Sequence, residues 1–287
     1  MKLLNLRQGN EVHLGIETEQ GIIDVVEASV IRGIALPSTV EQVIAAGEQA
    51  LLQLSELIEE KPATIHGKDI VYAPCVMNPG KILCVGLNYA SHGEECKVTI
   101  PEFPTLFSKF NNALAAHQQT IMLPEHAAKF DYEAELVIVI GKEAVNVSKE
   151  NALTCVFGYM IGNDLSARDL QFRTGQWLLG KTCDGFAPIG PDLVTADEVN
   201  PDNLSILCEV NGVVRQSANT SEMIFDCAAI VSYISQYMTL KPGDIIFTGT
   251  PAGVILGQSK EEQQWLKSGD EIKISIDKLG TLINALD

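Results

Sequence analysis

The rhythm of apolar and polar positions changes twice along this chain. Residues 1 to about 27 alternate apolar and polar with Gly breaks, the two-residue period of short strands and hairpins. From 40 to 60 the period lengthens. Val40, Val43, Ile44, Leu51, Leu52, Leu54, Leu57 and Ile58 recur at helical spacing, and Lys61-Pro62 closes the run. A loop-like stretch with Pro74, Pro79 and Gly80 follows. Together these features predict a small α/β domain over residues 1–75.

Beyond residue 76 the runs become short and rich in β-branched residues. KILCVGLNY, ELVIVIG, CVFGYMIGND, LSILCEVNG, DIIFTGTP and EIKISI are separated by Gly, Pro, Asn and Asp, which favours strands over helices. One helix is expected over 226–240, in DCAAIVSYISQYMTL, halted by Lys241-Pro242-Gly243. The predicted fold is therefore α+β and β-rich, with a larger second domain over residues 76–287. No internal repeat or low-complexity segment interrupts it.

Charge narrows the partners. The formal net charge is −17, so nucleic acid would be repelled over most of the surface, and no Lys/Arg run offsets this. No apolar run approaches the roughly 18 residues needed to cross a bilayer, and neither nucleic acid nor a membrane is an expected partner. The seven cysteines, Cys75, Cys84, Cys96, Cys155, Cys183, Cys208 and Cys227, show no C-x-x-C spacing. The opening MKLLNLRQGNEVHLG lacks a long apolar stretch and a small-residue cleavage site. A cytoplasmic location with reduced thiols is expected, and the three N-x-[ST] matches carry no meaning there.

Candidate chemistry begins in Asp131-Tyr132-Glu133-Ala134-Glu135-Leu136-Val137. Residues two apart on a strand share a face, so Glu133 and Glu135 point the same way. Adjacent carboxylates repel unless a cation lies between them, and a hard divalent ion suits oxygen ligands. A solvated strand end would show the same spacing. Asp164 follows the run Gly158-Tyr159-Met160-Ile161-Gly162-Asn163, where it can reach into a cleft or simply cap the next turn.

His92 and Glu95 stand three apart after the strand KILCVG. On a helical turn they share a face, and a carboxylate that orients a histidine makes a general base. A capping or core histidine is the plainer alternative. Gly175-Gln176-Trp177-Leu178-Leu179-Gly180-Lys181-Thr182 fits G-x-x-x-x-G-K-[ST] letter for letter. The phosphate cradle needs an apolar strand before it and a helix after it. Here a polar stretch precedes, and Gly185, Pro188, Gly190 and Pro191 follow, so the match is discounted. Thr248-Gly249-Thr250-Pro251-Ala252-Gly253 reads as a tight loop whose N–H groups and hydroxyls can approach an anion.

In this order, these segments resemble the fumarylacetoacetate hydrolase family. The matching stretches are Val85-Gly86-Leu87-Asn88-Tyr89 with His92, Pro104-Thr105-Leu106-Phe107-Ser108-Lys109, Asp131 to Glu135, Gly162 to Asp169 with Gln171, Gly180-Lys181, Pro188-Ile189-Gly190-Pro191, Val210-Asn211-Gly212 and Thr248 to Val254. They span about 81 to 287. The resemblance implies a mixed β-sandwich roll, a homodimer, and Mg²⁺ or Mn²⁺ held by Glu133, Glu135 and Asp164. It gives His92 and Glu95 the activation of water, with Glu94 adjacent as the alternative carboxylate. Lys181 would stabilise enolate charge, and Arg168, Gln171, Thr250 and Lys109 would contact substrate. The implied reaction is cleavage of a C–C bond in a small anionic 2-oxo or 2,4-dioxo acid, by acylpyruvate-type hydrolysis or oxaloacetate-type decarboxylation. The alternative is an isomerase or lyase of aromatic or deoxy-sugar-acid catabolism, of the 2-hydroxyhepta-2,4-diene-1,7-dioate isomerase kind. The stretch GEECKVTIPEFPTL, between His92 and Lys109, is expected to form a lid.

Overall fold

A computed structural model describes residues 1–65 and 70–287. Strand Ala134–Ile140, central to the fold, is buried along its whole length, because both of its faces are covered. Leu136, Ile138 and Ile140 pack in one apolar cluster, and Val137 and Val139 in another. The first cluster is completed by a four-stranded sheet, through Ile206, Cys208, Ile272, Ile274 and Leu282, and by helix Cys227–Ser235. The second is completed by helices Val40–Ala46 and Glu48–Glu59 of the amino-terminal part.

Among the described residues the main sheet has eleven strands. Its principal path runs Gly21–Asp24, Glu11–Thr18, Lys2–Gln8, Ala187–Thr195, Val156–Asn163, Ala134–Ile140, Ile245–Phe247, Ile82–Gly86 and Thr105–Lys109. The architecture is mixed α+β and β-rich, with no closed barrel among the described residues. The expected boundary near residue 75 does not interrupt this sheet. Lys2 and Leu3 pair with Val194 and Leu193, and Leu3, Leu14, Val137, Ile189 and Phe247 share one core. Part of the loop expected after Pro62, residues 66–69, lies outside the described residues.

The single helix expected over 40–60 is two. Gly47 adopts φ 59° and ψ −133°, which breaks the chain between Val40–Ala46 and Glu48–Glu59. The break resets the helical phase, so Ala50, Leu54 and Leu57 face inward while Leu52 is exposed. A further helix, Val25–Arg32, follows the first three strands. Asp24 Oδ1 caps it by accepting from the Val26 and Glu27 N–H groups, and Gly33 ends it in the left-handed conformation. The helix expected over 226–240 is shorter, Cys227–Ser235, with Asp226 as its cap.

Strand directions gather the candidate residues at one end of this sheet. Antiparallel pairing sets Asn163 opposite Ala134, which brings Asp164 to Glu133 and Glu135. Ile245–Phe247 runs antiparallel to Ala134–Ile140 and parallel to Ile82–Gly86. The loops that leave these two strands, Thr248 to Gly253 and Leu87 to His92, therefore open at the same end.

Candidate metal centre and active site

Glu133, Glu135 and Asp164 are all buried, and each offers a carboxylate oxygen within 4.8 Å of the others. Backbone pairing fixes them: the Asp164 N–H donates to the Glu133 carbonyl at 2.9 Å, and the Glu133 N–H donates to Asn163 Oδ1 at 3.1 Å. Glu133 stands just before the regular strand. Glu135 Oε2 accepts from the Gly249 N–H at 2.6 Å. Gly249 has φ +99°, and a Cβ there would lie 2.7 Å from Asn88 Cβ, so glycine is what lets this N–H reach the carboxylate.

Three buried cations surround the acids. Lys181 Nζ donates to Asp164 Oδ2 at 2.7 Å and to Glu133 Oε2. Arg168 donates to Glu133 Oε1 at 2.7 Å, to Asp131 Oδ2 at 2.9 Å and to Gln171 Oε1 at 3.0 Å. Burial opposes the charge on Glu133, but Arg168 and Lys181 override it and hold its carboxyl far below the ordinary range. Glu135 goes the other way. Burial, with the charges of Asp164 and Glu133, pushes its carboxyl well up. Lys181 is pushed up despite burial by Asp164 and Glu133.

This donor set fits a hard divalent ion. It offers three carboxylates converging within one ion's reach, and one of them, Glu135, has its charge opposed by its neighbours. A dication removes that opposition, and Mg²⁺ or Mn²⁺ takes oxygen ligands of this kind.

His92 lies on the one-turn helix Ala90–Glu95. Its Nδ1 is 2.9 Å from Glu95 Oε1, and Glu95 Oε2 accepts from the Gly253 N–H at 2.9 Å. Glu95 is thus the carboxylate paired with the ring, and it is fixed from both sides. Burial disfavours the imidazolium, but the contacts with Cys96 and Glu95 and the charge of Glu133 outweigh it, holding the ring up to about 9.

A partly open cavity of about 110 Å³ brings these groups together, lined by Glu133, Glu135, Asp164, Lys181 and His92 along with Arg168, Gln171 and Thr250. Val98, from the expected lid segment, lines it too, as do Phe107 and Trp177, whose rings pack edge-on at 5.4 Å. A wider groove of about 530 Å³ lies elsewhere, along Tyr132, Arg215 and Trp265, and contains none of the three acids. Converging chemistry, not volume, marks the smaller cavity as the site.

Lys109 stands apart from the expected substrate contacts. Its Nζ donates to the carbonyls of Leu165 at 3.0 Å, Phe186 at 2.7 Å and Lys181, and lies 2.5 Å from Asp164 Oδ1, behind the cavity wall. Arg168 does line the cavity, but its guanidinium is engaged by Asp131, Glu133 and Gln171. Thr250 Oγ1 accepts from Gln216 Nε2 at 2.7 Å and keeps a proton to donate. The G-x-x-x-x-G-K-T match forms no phosphate cradle: Leu178–Lys181 is a single helical turn.

One participant had no role assigned from the sequence. Asp131 is fully buried and accepts from Arg168 and from the Ile255 and Leu256 N–H groups, at 2.9 and 3.0 Å. Its position two before Glu133 was the available signal. Gly249, in the loop read as bringing N–H groups to an anion, turns out to serve the site's own Glu135.

Residues 81–287 match the family described as Fumarylacetoacetate (FAA) hydrolase C-terminal. The chain is 52% identical over 219 residues to the fumarylacetoacetate hydrolase domain-containing protein 2 homolog of Dictyostelium discoideum, 72% of each chain. It is 40% identical over 278 residues to the oxaloacetate tautomerase Fahd2a, mitochondrial, of Rattus norvegicus, covering 96% of this chain and 87% of that one. A solved fumarylacetoacetate hydrolase from the psychrophilic Exiguobacterium antarcticum superposes with a TM-score of 0.87 at 33% identity, over 100% of this chain and 99% of that one. The chain belongs to the fumarylacetoacetate hydrolase family of enzymes.

Proposed function

We propose that this protein interconverts the enol and keto forms of a small 2-oxo dicarboxylate, with oxaloacetate as the reference substrate, and that it requires Mg²⁺ or Mn²⁺. The observation that carries this reading is the shared cavity of about 110 Å³. A three-carboxylate centre, a lysine ammonium and an oriented histidine meet there in a space suited to a compact acid. The name of the Rattus norvegicus relative supports the same substrate.

Glu133, Glu135 and Asp164 would hold the ion, which when bound supplies Lewis-acid polarisation of a 2-oxo group. The remaining work falls to the chain's own side chains. Lys181 offers an ammonium to the oxygen on which enolate charge develops, a stabilisation that grows along the reaction. Glu95 keeps the His92 proton on Nδ1 and leaves Nε2 to take a proton from the carbon beside the carbonyl and to return it. Thr250 and Gln171 orient a substrate carboxylate, while Phe107 and Trp177 exclude water. The apolar wall suits proton transfer away from bulk water.

A second reading is hydrolysis of a C–C bond in a 2,4-dioxo acid. The His92–Glu95 contact favours it, because the same pair can activate water. A parallel assay distinguishes the two: enol-to-keto conversion of oxaloacetate followed by ultraviolet absorbance, and cleavage of acylpyruvates, each with Mg²⁺ and with Mn²⁺. Metal-dependent acceleration of the first, with much slower cleavage, is expected. Fast acylpyruvate cleavage with no effect on oxaloacetate would replace the first reading by the second.

A further inference from the structure

One corner of the cavity carries donors of a different kind from the acid centre. His92, Glu95 and Cys96 stand at spacings of three and four on one helical turn, which puts them on one face. A nitrogen, an oxygen and a sulfur from these residues all lie within 4.8 Å of one another. His92 Nδ1 is 2.9 Å from Glu95 Oε1 and 3.9 Å from Cys96 Sγ. In a tetrahedral zinc site with ordinary bond lengths, neighbouring ligand atoms are separated by about 3.3–3.6 Å. The two separations from His92 Nδ1 lie within about half an ångström of these values.

Glu95 is also prepared as a ligand. Its other oxygen is held by the Gly253 N–H at 2.9 Å, and it packs so tightly on Gly257 that a Cβ there would lie 2.5 Å from Glu95 Cδ. A carboxylate fixed by a hydrogen bond behind it is the outer-shell arrangement typical of metal ligands. Cys96 lines the same cavity beside His92, and the reaction proposed above passes no proton through its thiol.

We propose that His92, Glu95 and Cys96 form a second, inhibitory cation site selective for a soft divalent ion such as Zn²⁺. Mixed N, O and S donors suit Zn²⁺, whereas the all-oxygen centre suits Mg²⁺ or Mn²⁺. Binding releases the Cys96 Sγ proton to solvent, and His92, which ligates as neutral imidazole through Nδ1, carries its one ring proton on Nε2. Glu95 Oε1 passes from hydrogen-bond acceptor to metal ligand. With Nδ1 on the cation and the proton on Nε2, the ring has no lone pair left to take a proton from substrate. The inhibitory consequence rests on His92 acting as proposed above, whereas the site itself does not.

The test uses Co²⁺ and Zn²⁺ on the full chain with saturating Mg²⁺. Co²⁺ binding to wild type should give a thiolate-to-metal charge-transfer band that Cys96→Ser and Cys96→Ala both lack. Zn²⁺ should inhibit wild type without relief from added Mg²⁺. Each Cys96 variant should need roughly tenfold or more Zn²⁺ to halve its own Zn²⁺-free turnover. No Cys96-dependent band, or a band with equal Zn²⁺ sensitivity in both variants, overturns the proposal. A protein that shows the band but turns over no oxo acid keeps the metal site, loses its inhibitory meaning, and counts against the proposed reaction instead.

Discussion

Lys181 Nζ lies 2.7 Å from Asp164 Oδ2 and also bonds Glu133, so one ammonium bridges two of the three acids that would hold the ion. A lysine in that position competes with a metal for the acids and also supplies the positive charge that a developing enolate needs. Lys181→Met separates these roles. Turnover should fall about 10²–10³-fold. Metal-free protein should lose about 3–5 kcal/mol of stability, because buried carboxylates lose their partner. Mg²⁺ should raise the thermal midpoint of Lys181→Met more than that of wild type. Equal Mg²⁺ responses would show that Lys181 does not share its acids with the ion.

Glu135 gives a pH dependence with a definite sign. Its carboxyl is pushed well up by burial and by Asp164 and Glu133, so it retains a proton at pH values where an ordinary carboxyl has lost one. The folded state then binds the extra proton, and this group's contribution to metal-free stability declines as pH rises above the ordinary carboxyl range. Ligation requires the proton to leave. Mn²⁺ affinity should therefore increase with pH, and calorimetry in two buffers of different ionisation enthalpy should record proton release. Binding without proton release would contradict this.

His92 titrates in the opposite sense. The ring is held up to about 9, above its ordinary value, so its contribution to stability is complete below about 6.5 and is lost as pH rises through about 9. Much of what raises it is negative charge nearby, Glu133 included. Saturating Mg²⁺ should lower the His92 pKa as followed by NMR of the imidazole protons, and the rate should rise with pH over the same range. An unchanged pKa would place the ion elsewhere. His92→Asn should reduce turnover about 10²–10⁴-fold while leaving metal affinity intact.

Gly180 is where backbone packing sets the position of Lys181. A Cβ there would lie 2.3 Å from the Gln171 N and 2.5 Å from the Ala167 O, both backbone atoms that cannot swing away. Gly180→Ala should destabilise by ~1–3 kcal/mol in chemical denaturation and displace both Lys181 and Gln171. Wild-type stability and turnover in this variant would mean that the turn is more yielding than its contacts indicate.

The β-rich α+β class was legible in the sequence, as were the residues that the cavity brings together, but not the long-range contacts that hold them. Two-residue spacing set Glu133 and Glu135 on one face but left a solvated strand end open, and helical spacing offered Glu95 to His92 while Glu94 stayed the alternative; the structure pairs Glu95 with the ring. Those rules act over a few residues. Lys109 shows where they stop: what holds its ammonium are carbonyls from Leu165, Lys181 and Phe186, far away in the chain. The helix over 40–60 failed for a related reason. Apolar spacing continues through Gly47, but the backbone there leaves the helical region and the buried face is reset. The sharing of one sheet by the first strands and the rest depends on the pairing of Lys2 with Val194, which no local pattern encodes.

The most direct test of the central claim is oxaloacetate tautomerisation measured against Mg²⁺ concentration, in chelator-treated wild type and in Glu135→Ala, with Mn²⁺ binding measured on the same samples. Saturable metal dependence in wild type is expected, with both turnover and tight Mn²⁺ binding lost in Glu135→Ala. Full turnover in chelator, or a Glu135→Ala protein that binds Mn²⁺ and works like wild type, would contradict the assignment of Glu133, Glu135 and Asp164 as the metal centre.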